Sequence, residues 1–202
     1  MTDKTVIHVV DDDPALRDSL AFLLDVNGFV SKVYESANAF LSGAAINTQS
    51  CVISDIRMPG MNGIELVREL KSRGTVCPVI LVTGHGDVAL AVEAMKAGAA
   101  DFIEKPFDDQ ALLGAIRVAL EAHPASRGDE GAKAAAEARL AELSPRERDV
   151  LRGLVAGKIN KVIAHELGIS PRTVEVYRAN LMAKTGARSM SELMRIALTA
   201  GL

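Results

Sequence analysis

Tryptophan is absent from this chain, and aromatic residues make up only 3% of its 202 positions. Its interior must therefore be packed with aliphatic side chains. Cysteine is almost as scarce. Cys51 and Cys77 fit no metal-ligand or redox spacing and read as two small buried thiols in a reduced cytosol. No apolar run approaches the ~20 residues that span a bilayer. Asp3 and Asp11 to Asp13 interrupt the first stretch, so no secretory signal is expected there. These absences predict a cytoplasmic protein with no membrane partner.

What is present is ample core material: 49% of the residues are hydrophobic, enough for one large domain or two small ones. Charge favours two. Residues 1–123 hold 10 Lys/Arg against 17 Asp/Glu, whereas residues 140–202 hold 10 against 6. An acidic front and a basic back suggest different partners, with the back a candidate for nucleic acid.

Strand-like runs alternate with helical patterns through residue 121. The strands are expected near 5–10, 30–34, 50–55, 79–82 and 101–104. The helices are expected near 14–26, 36–45, 62–72, 87–97 and 108–121. This alternation predicts an α/β fold, a doubly wound parallel sheet. Pro14 suits a first helical turn, and Asn62 with Glu65 resembles a capping box. His123-Pro124-Ala125-Ser126-Arg127-Gly128 breaks the last of these helices. The Ala-rich stretch Asp129 to Leu143, with Asp129 and Lys133 four apart, reads equally as a helix or a flexible tether. The boundaries drawn are 1–122, a linker 123–139, and an all-helical 140–202. Ser144-Pro145-Arg146-Glu147 starts the first helix of the back part, which ends near Gly157. Helices near 160–167 and 171–184 flank the turn Gly168-Ile169-Ser170, and Ser189 with Glu192 opens a fourth. Helix, Gly-containing turn, helix is the helix-turn-helix pattern.

The strand ends carry the chemistry. Asp11-Asp12-Asp13, Asp55, Thr83 and Lys105 follow four of the strands, and in an open parallel sheet those ends line one crevice. Two carboxylates ~4 Å apart repel by roughly 4 kcal/mol at an effective dielectric of ~20. Asp11, Asp12 and Asp55 together therefore call for a cation, and hard oxygen donors suit Mg²⁺. Asp55 is then a carboxylate nucleophile for a phosphoryl group, with Lys105 and the Thr83 hydroxyl stabilising its oxygens. Each residue alone has a plainer reading: Asp13 before Pro14 as a helix cap, Lys105 as a solvated charge, Thr83 as a turn residue.

The first 121 residues resemble the receiver domains of two-component response regulators. The matching pieces are Val10 to Asp13, Ser54 to Gly63, Val82-Thr83-Gly84 and Lys105-Pro106-Phe107. The resemblance implies a flavodoxin-like sheet of order 2-1-3-4-5 and phosphorylation of Asp55 by a sensor histidine kinase. It also implies Mg²⁺ on Asp12, Asp55 and the Arg57 carbonyl, assisted by Asp11. A cis bond at Lys105-Pro106 belongs to the same pattern. Phe102 stands where the family has its rotating aromatic, often Tyr, so Thr83 and Phe102 are the expected switch pair.

The basic back presents a helix with Val174, Tyr177 and Leu181 on one stripe and Arg172, Glu175, Val176 and Ala179 opposite. The second face suits base edges in a major groove. Lys158, Lys161, Arg178 and Lys184 suit phosphates. Pattern alone leaves an ordinary amphipathic bundle equally open. Residues 140–202, however, resemble the four-helix DNA-binding domain of the LuxR and GerE type, through Leu143 to Glu147, Leu151, Gly157, Ile163-Ala164, Leu167, Ile169-Ser170, Thr173-Val174 and Leu181-Met182. Lys161 and Thr173 to Val176 take positions that contact DNA in that family, and the helix near 189–200 is where such domains often dimerise. His165 departs from the usual Arg or Glu and is expected on exposed helix surface. Thr83 to Val88 and Ala94 to Phe107 look most like the subfamily that controls nitrogen-fixation genes.

The expectation is a phosphorylation-controlled transcription factor, not a turnover enzyme, that assists only its own phosphorylation and dephosphorylation. It would pair when phosphorylated, with Lys96, Asp101 and Arg117 in the two-fold interface, bind promoter DNA as an activator and engage RNA polymerase. Two rivals remain. Val9 to Asp13 resembles the Asp-x-Asp strand end of haloacid-dehalogenase phosphohydrolases, but Ala15 replaces Thr or Val, and Asp108-Asp109 follow Lys105 too closely. Alternatively, the back domain is a protein-interaction module.

Overall fold

The computed structural model describes residues 5–47, 49–75, 77–84, 88–121 and 129–202. The expected motif residues His85, Gly86 and Asp87 and the break at His123 to Gly128 lie outside them. The chain divides into two compact units, Met1–Gly86 with Ala97–His123, and Asp87–Lys96 with Pro124–Leu202.

The first unit is built on β1 (Val6–Val10), β2 (Val30–Tyr34), β3 (Ser50–Asp55), β4 (Val79–Thr83) and β5 (Asp101–Glu104). All neighbours run parallel, in the order β2-β1-β3-β4-β5 expected. Its helices are α1 (Pro14–Val26), α2 (Ala37–Gly43), α3 (Gly63–Ser72) and α5 (Asp109–Glu121), while α4 (Val88–Ala97), between β4 and β5 in the chain, falls almost wholly in the second unit. Strand residues alternate between two faces. Ile7, Val9, Cys51, Ile53, Ile80 and Val82 pack with Leu20 and Leu24 of α1 and Leu112, Leu113 and Ile116 of α5. This is the aliphatic core that the scarcity of aromatic residues demands. Phe29 and Phe107 pack at its margin, and an aromatic cluster lies on the other face of β1, where His8 stacks on Tyr34 and meets the edge of Phe40.

The expected helix starts are present. Asp13 caps α1 through the Ala15 N–H at 2.9 Å, with Pro14 in the first turn. Asn62 and Glu65 form both bonds of a capping box on α3. The second helix is shorter than the expected 36–45, ending at Gly43 because the backbone turns extended at Ala44.

The second unit contains α6 (Asp129–Ala141), α7 (Pro145–Val155), α8 (Asn160–Leu167), α9 (Pro171–Thr185) and α10 (Met190–Thr199). The Ala-rich stretch is therefore helix, and α6 packs on α10 with Ala136 and Leu140 buried. Its tertiary contacts decide between the two readings that composition left open. The Asp129 side chain lies outside the described residues; Lys133 pairs at 4.0 Å with Glu137. The Ser144–Glu147 capping box forms on α7. Gly168, with φ of 64°, ends α8 in the left-handed region, and Ser170 caps α9. Val174 and Leu181 are fully buried, so the predicted core stripe of α9 faces inward.

Candidate functional site

Register brings the strand-end residues together. Val10 pairs with Ser54, so Asp11 and Asp55 are the next residues on neighbouring strands. Asp55 pairs with Val82 and Thr83 with Glu104, which carries Lys105 to the same edge. The Lys105 N–H donates to the Thr83 carbonyl at 2.7 Å, and the Lys105-Pro106 bond is cis as the resemblance implies.

The Lys105 side chain spans the crevice. Its Nζ donates to Asp55 Oδ1 at 2.6 Å and to Asp11 Oδ2 at 3.1 Å. Asp55 Oδ2 accepts the Arg57 N–H at 2.6 Å, and Asp11 Oδ1 accepts the Asp13 N–H at 2.8 Å. Both carboxylates are buried, and Thr83 lies buried beside them at the end of β4.

Two buried acids share one lysine, and the proton affinities of Asp11 and Lys105 reflect the crowding. Burial raises the Asp11 carboxyl above the ordinary carboxylate range. The Asp13 N–H and Lys105 oppose that shift, and the charge on Asp55 adds to it. Burial acts against the Lys105 charge, yet the bonds to Asp55 and Asp11 and their charges hold it above the ordinary lysine value. The crevice thus keeps excess negative charge that a further cation can relieve. Its donors are all hard oxygens, the kind Mg²⁺ accepts. Asp12, next in the chain, is exposed. Among the described residues no three His, Cys, Asp or Glu side chains gather into a metal cage by themselves. The expected ligands Asp11 and Asp55 are brought together, and Asp12 is left at the surface. Chemically, the arrangement offers a buried carboxyl group with an ammonium beside it.

In the second unit, Arg172, Glu175, Val176 and Ala179 line the exposed face of α9 as expected, and Lys161 and His165 are exposed on α8. Thr173 is half-buried, its hydroxyl 2.8 Å from Ser170 Oγ. Three of the expected phosphate contacts have partners within the unit. Arg178 Nη1 donates to Asn160 Oδ1 at 3.1 Å, Lys158 meets Glu166 at 2.7 Å, and Lys184 meets Glu147 at 2.7 Å. Of the expected pairing residues, Lys96 and Arg117 are exposed and Asp101 is half-buried, accepting the Phe102 N–H at 2.8 Å. Phe102 itself is half-buried.

Residues 7–117 match the response regulator receiver domain, and residues 141–197 match the luxR family of bacterial regulatory proteins. The transcriptional regulatory protein FixJ of Bradyrhizobium diazoefficiens is 53% identical, covering 100% of this chain and 98% of that protein. The chain belongs to the FixJ-like response regulators. The response regulator TodT of Pseudomonas putida is 40% identical over 97% of this chain and 87% of its own. Full-length FixJ from B. japonicum superposes with a TM-score of 0.55 at 52% identity, covering 99% of this chain and 98% of that one. The response regulator StyR does so with 0.57 at 39% identity, covering 96% and 98%. A two-component response regulator with a receiver and a LuxR-type DNA-binding domain is a transcriptional regulator, and no described helix is long and apolar enough to cross a membrane.

Sequence reasoning missed two residues of this regulator's crevice. Arg17 reaches back from α1 to donate from Nη1 to the Asp11 carbonyl at 2.7 Å. Its place one helical turn beyond Asp13 was the available signal. Gly63, the last residue of the motif Ser54 to Gly63, is the second. A Cβ there would collide with the Asp55 carbonyl oxygen, so glycine is what lets α3 begin against the end of β3.

Proposed function

We propose that Asp55 is the residue through which this response regulator receives its signal. The carrying observation is the Asp55 carboxylate itself, buried at the end of β3 with Lys105 2.6 Å from one oxygen and the Arg57 N–H 2.6 Å from the other. Asp55 attacks the phosphorus of a phosphohistidine on a sensor kinase. The P–N bond breaks, imidazole leaves, and an aspartyl phosphate remains. Lys105, still an ammonium, donates to an incoming phosphoryl oxygen and stabilises its charge, and the Thr83 hydroxyl binds another. Asp11, Asp12, Asp55 and the Arg57 carbonyl would hold Mg²⁺, which when bound neutralises charge on the phosphoryl group. Arg17 steadies the Asp11 strand end throughout.

Once phosphorylated, the chain pairs through α4 and β5 with Lys96, Asp101 and Arg117. Thr83 and Phe102 report the phosphoryl group to that face. Residues 1–122 serve as receiver, 123–139 as connector and 140–202 as DNA-binding domain. Arg172, Thr173, Glu175, Val176 and Ala179 face bases, while Lys161 and Arg178 face phosphates. The paired protein binds promoter DNA in the cytoplasm and activates transcription with RNA polymerase, in the manner of a nitrogen-fixation regulator. It assists only its own phosphorylation and dephosphorylation.

Acetyl phosphate with Mg²⁺ should label Asp55 alone, as mapped by peptide mass spectrometry, and Asp55→Asn should abolish the label. Label that persists in Asp55→Asn but disappears in Asp11→Asn would favour the phosphohydrolase reading.

A further inference from the structure

Lys184 stands on the last turn of α9, where its charge suggests a grip on a DNA phosphate. Its surroundings point elsewhere. Nζ lies 2.7 Å from Oε2 of Glu147, and that side chain is only 4% exposed. The same oxygen accepts the Ser144 N–H at 2.7 Å. The Lys184 hydrogen bond, then the Ser144 N–H, hold the Glu147 carboxyl below its ordinary range against the effect of burial. A carboxylate taken out of water needs such partners, and losing one leaves a buried charge uncompensated. The capping box of α7 and the final turn of α9 therefore meet at a single oxygen. In its middle, α9 is held by the Arg178–Asn160 bond to α8, and Val174 and Leu181 on its inner face are buried. A helix tied at its last turn and in its middle, with one face buried, has a defined tilt and rotation.

We propose that Lys184 is a positioning residue. Paired with Glu147, it sets the aim of the exposed α9 face, Arg172, Glu175, Val176 and Ala179, instead of neutralising a phosphate. This inference rests on the reading of α9 as the DNA-recognition helix.

The test uses the full chain, treated with acetyl phosphate and Mg²⁺, and the duplex that the wild type enriches from a random-sequence pool. Glu147→Gln keeps the capping box, since Gln also serves at that position, and removes only the charge. A misaimed helix forfeits about one base contact. Glu147→Gln and Lys184→Met should therefore each weaken binding to the selected duplex about tenfold. The double variant should be no weaker than either single one. Binding to a mixed-sequence duplex should be spared, and the slope of log K against log salt should keep its wild-type value.

A phosphate contact gives the opposite pattern. Glu147→Gln then frees the ammonium and tightens binding, while Lys184→Met flattens the salt slope by ~0.9. Either result overturns the proposal, as does unchanged affinity in both variants. Equal loss on selected and mixed-sequence duplexes also overturns it, because that is the mark of unfolding. A pool in which the wild type enriches nothing removes the DNA-recognition reading itself and this inference with it.

Discussion

His8 lies in β1 and Asp11 just past its end, three residues apart, and burial drives their proton affinities in opposite directions. Burial, reinforced by Lys32, lowers the His8 imidazole from 6.5 to about 4. Its Nδ1 lies 3.2 Å from the Tyr34 hydroxyl, and Nε2 is buried without a hydrogen-bond partner among the described residues. The unfolded chain takes a proton on His8 near pH 6.5 that the folded chain refuses. Its contribution to stability is therefore complete above that value and is lost as pH falls towards 4, by roughly 3 kcal/mol in total. Asp11, with its carboxyl raised, works the other way: its contribution is complete at low pH and is lost as pH rises through its folded value. Replacing His8 by Leu should flatten the acid side of the stability curve. Urea unfolding at pH 7 and pH 4.5 checks this, and a variant that loses as much stability as wild type over that interval would refute it. Asp11 is common to both proteins, so its contribution cancels in the comparison.

At the scale of elements, the junction between β3 and α3 is the tightest constraint on the crevice. The Gly63 N–H donates to the Ile56 carbonyl at 3.0 Å, and its Cα faces the Asp55 carbonyl with no room for a side chain. Gly63→Ala must push α3 off the end of β3. That should cost roughly 1–3 kcal/mol of stability and slow acetyl-phosphate labelling of Asp55, because the Asp55 backbone shifts with it. Calorimetry and labelling kinetics measure the two effects. An alanine variant as stable and as quickly labelled as wild type would mean that the junction has slack. The helix starts were legible from the chain because a cap is a local event: Asp13, Asn62, Ser144, Ser170 and Ser189 each bond a backbone N–H two or three residues on. The state of α6 was not legible, because its apolar residues are stabilised by packing on α10, 50 or more positions away in the chain.

For the whole molecule, the question is how a modestly basic DNA-binding part reaches useful affinity. One α9 presents few base-reading residues. Two copies held in one dimer make the second binding event intramolecular, which can raise avidity by ~10²–10⁴. We therefore expect Lys96→Glu to weaken phosphorylation-dependent dimerisation and, with it, DNA binding, while Asp55 still accepts phosphate. Lys96 is exposed on α4, so the substitution leaves the core untouched. Sedimentation of the phosphorylated variant checks the expectation. A variant that remains fully dimeric would take Lys96 out of the interface, and a wild type that stays monomeric on and off DNA would rule out pairing as the mechanism.

By itself the sequence determined the two architectures, the strand order through its resemblance, and the strand-end residues Asp11, Asp55, Thr83 and Lys105 of the crevice, because hydrophobic periodicity, caps and strand-end acids are written within a few residues of one another. It also marked the exposed face of α9, since a helix of known period displays its faces without help. Partnership was decided only by the tertiary structure. That Lys105 bridges Asp11 and Asp55, that Arg17 reaches the Asp11 carbonyl and that Lys184 lies on Glu147 all depend on side chains far apart in the chain meeting across packed elements. A charge read along the chain is a free charge. In the fold, the same charge belongs to whichever neighbour the packing brings within about 3 Å.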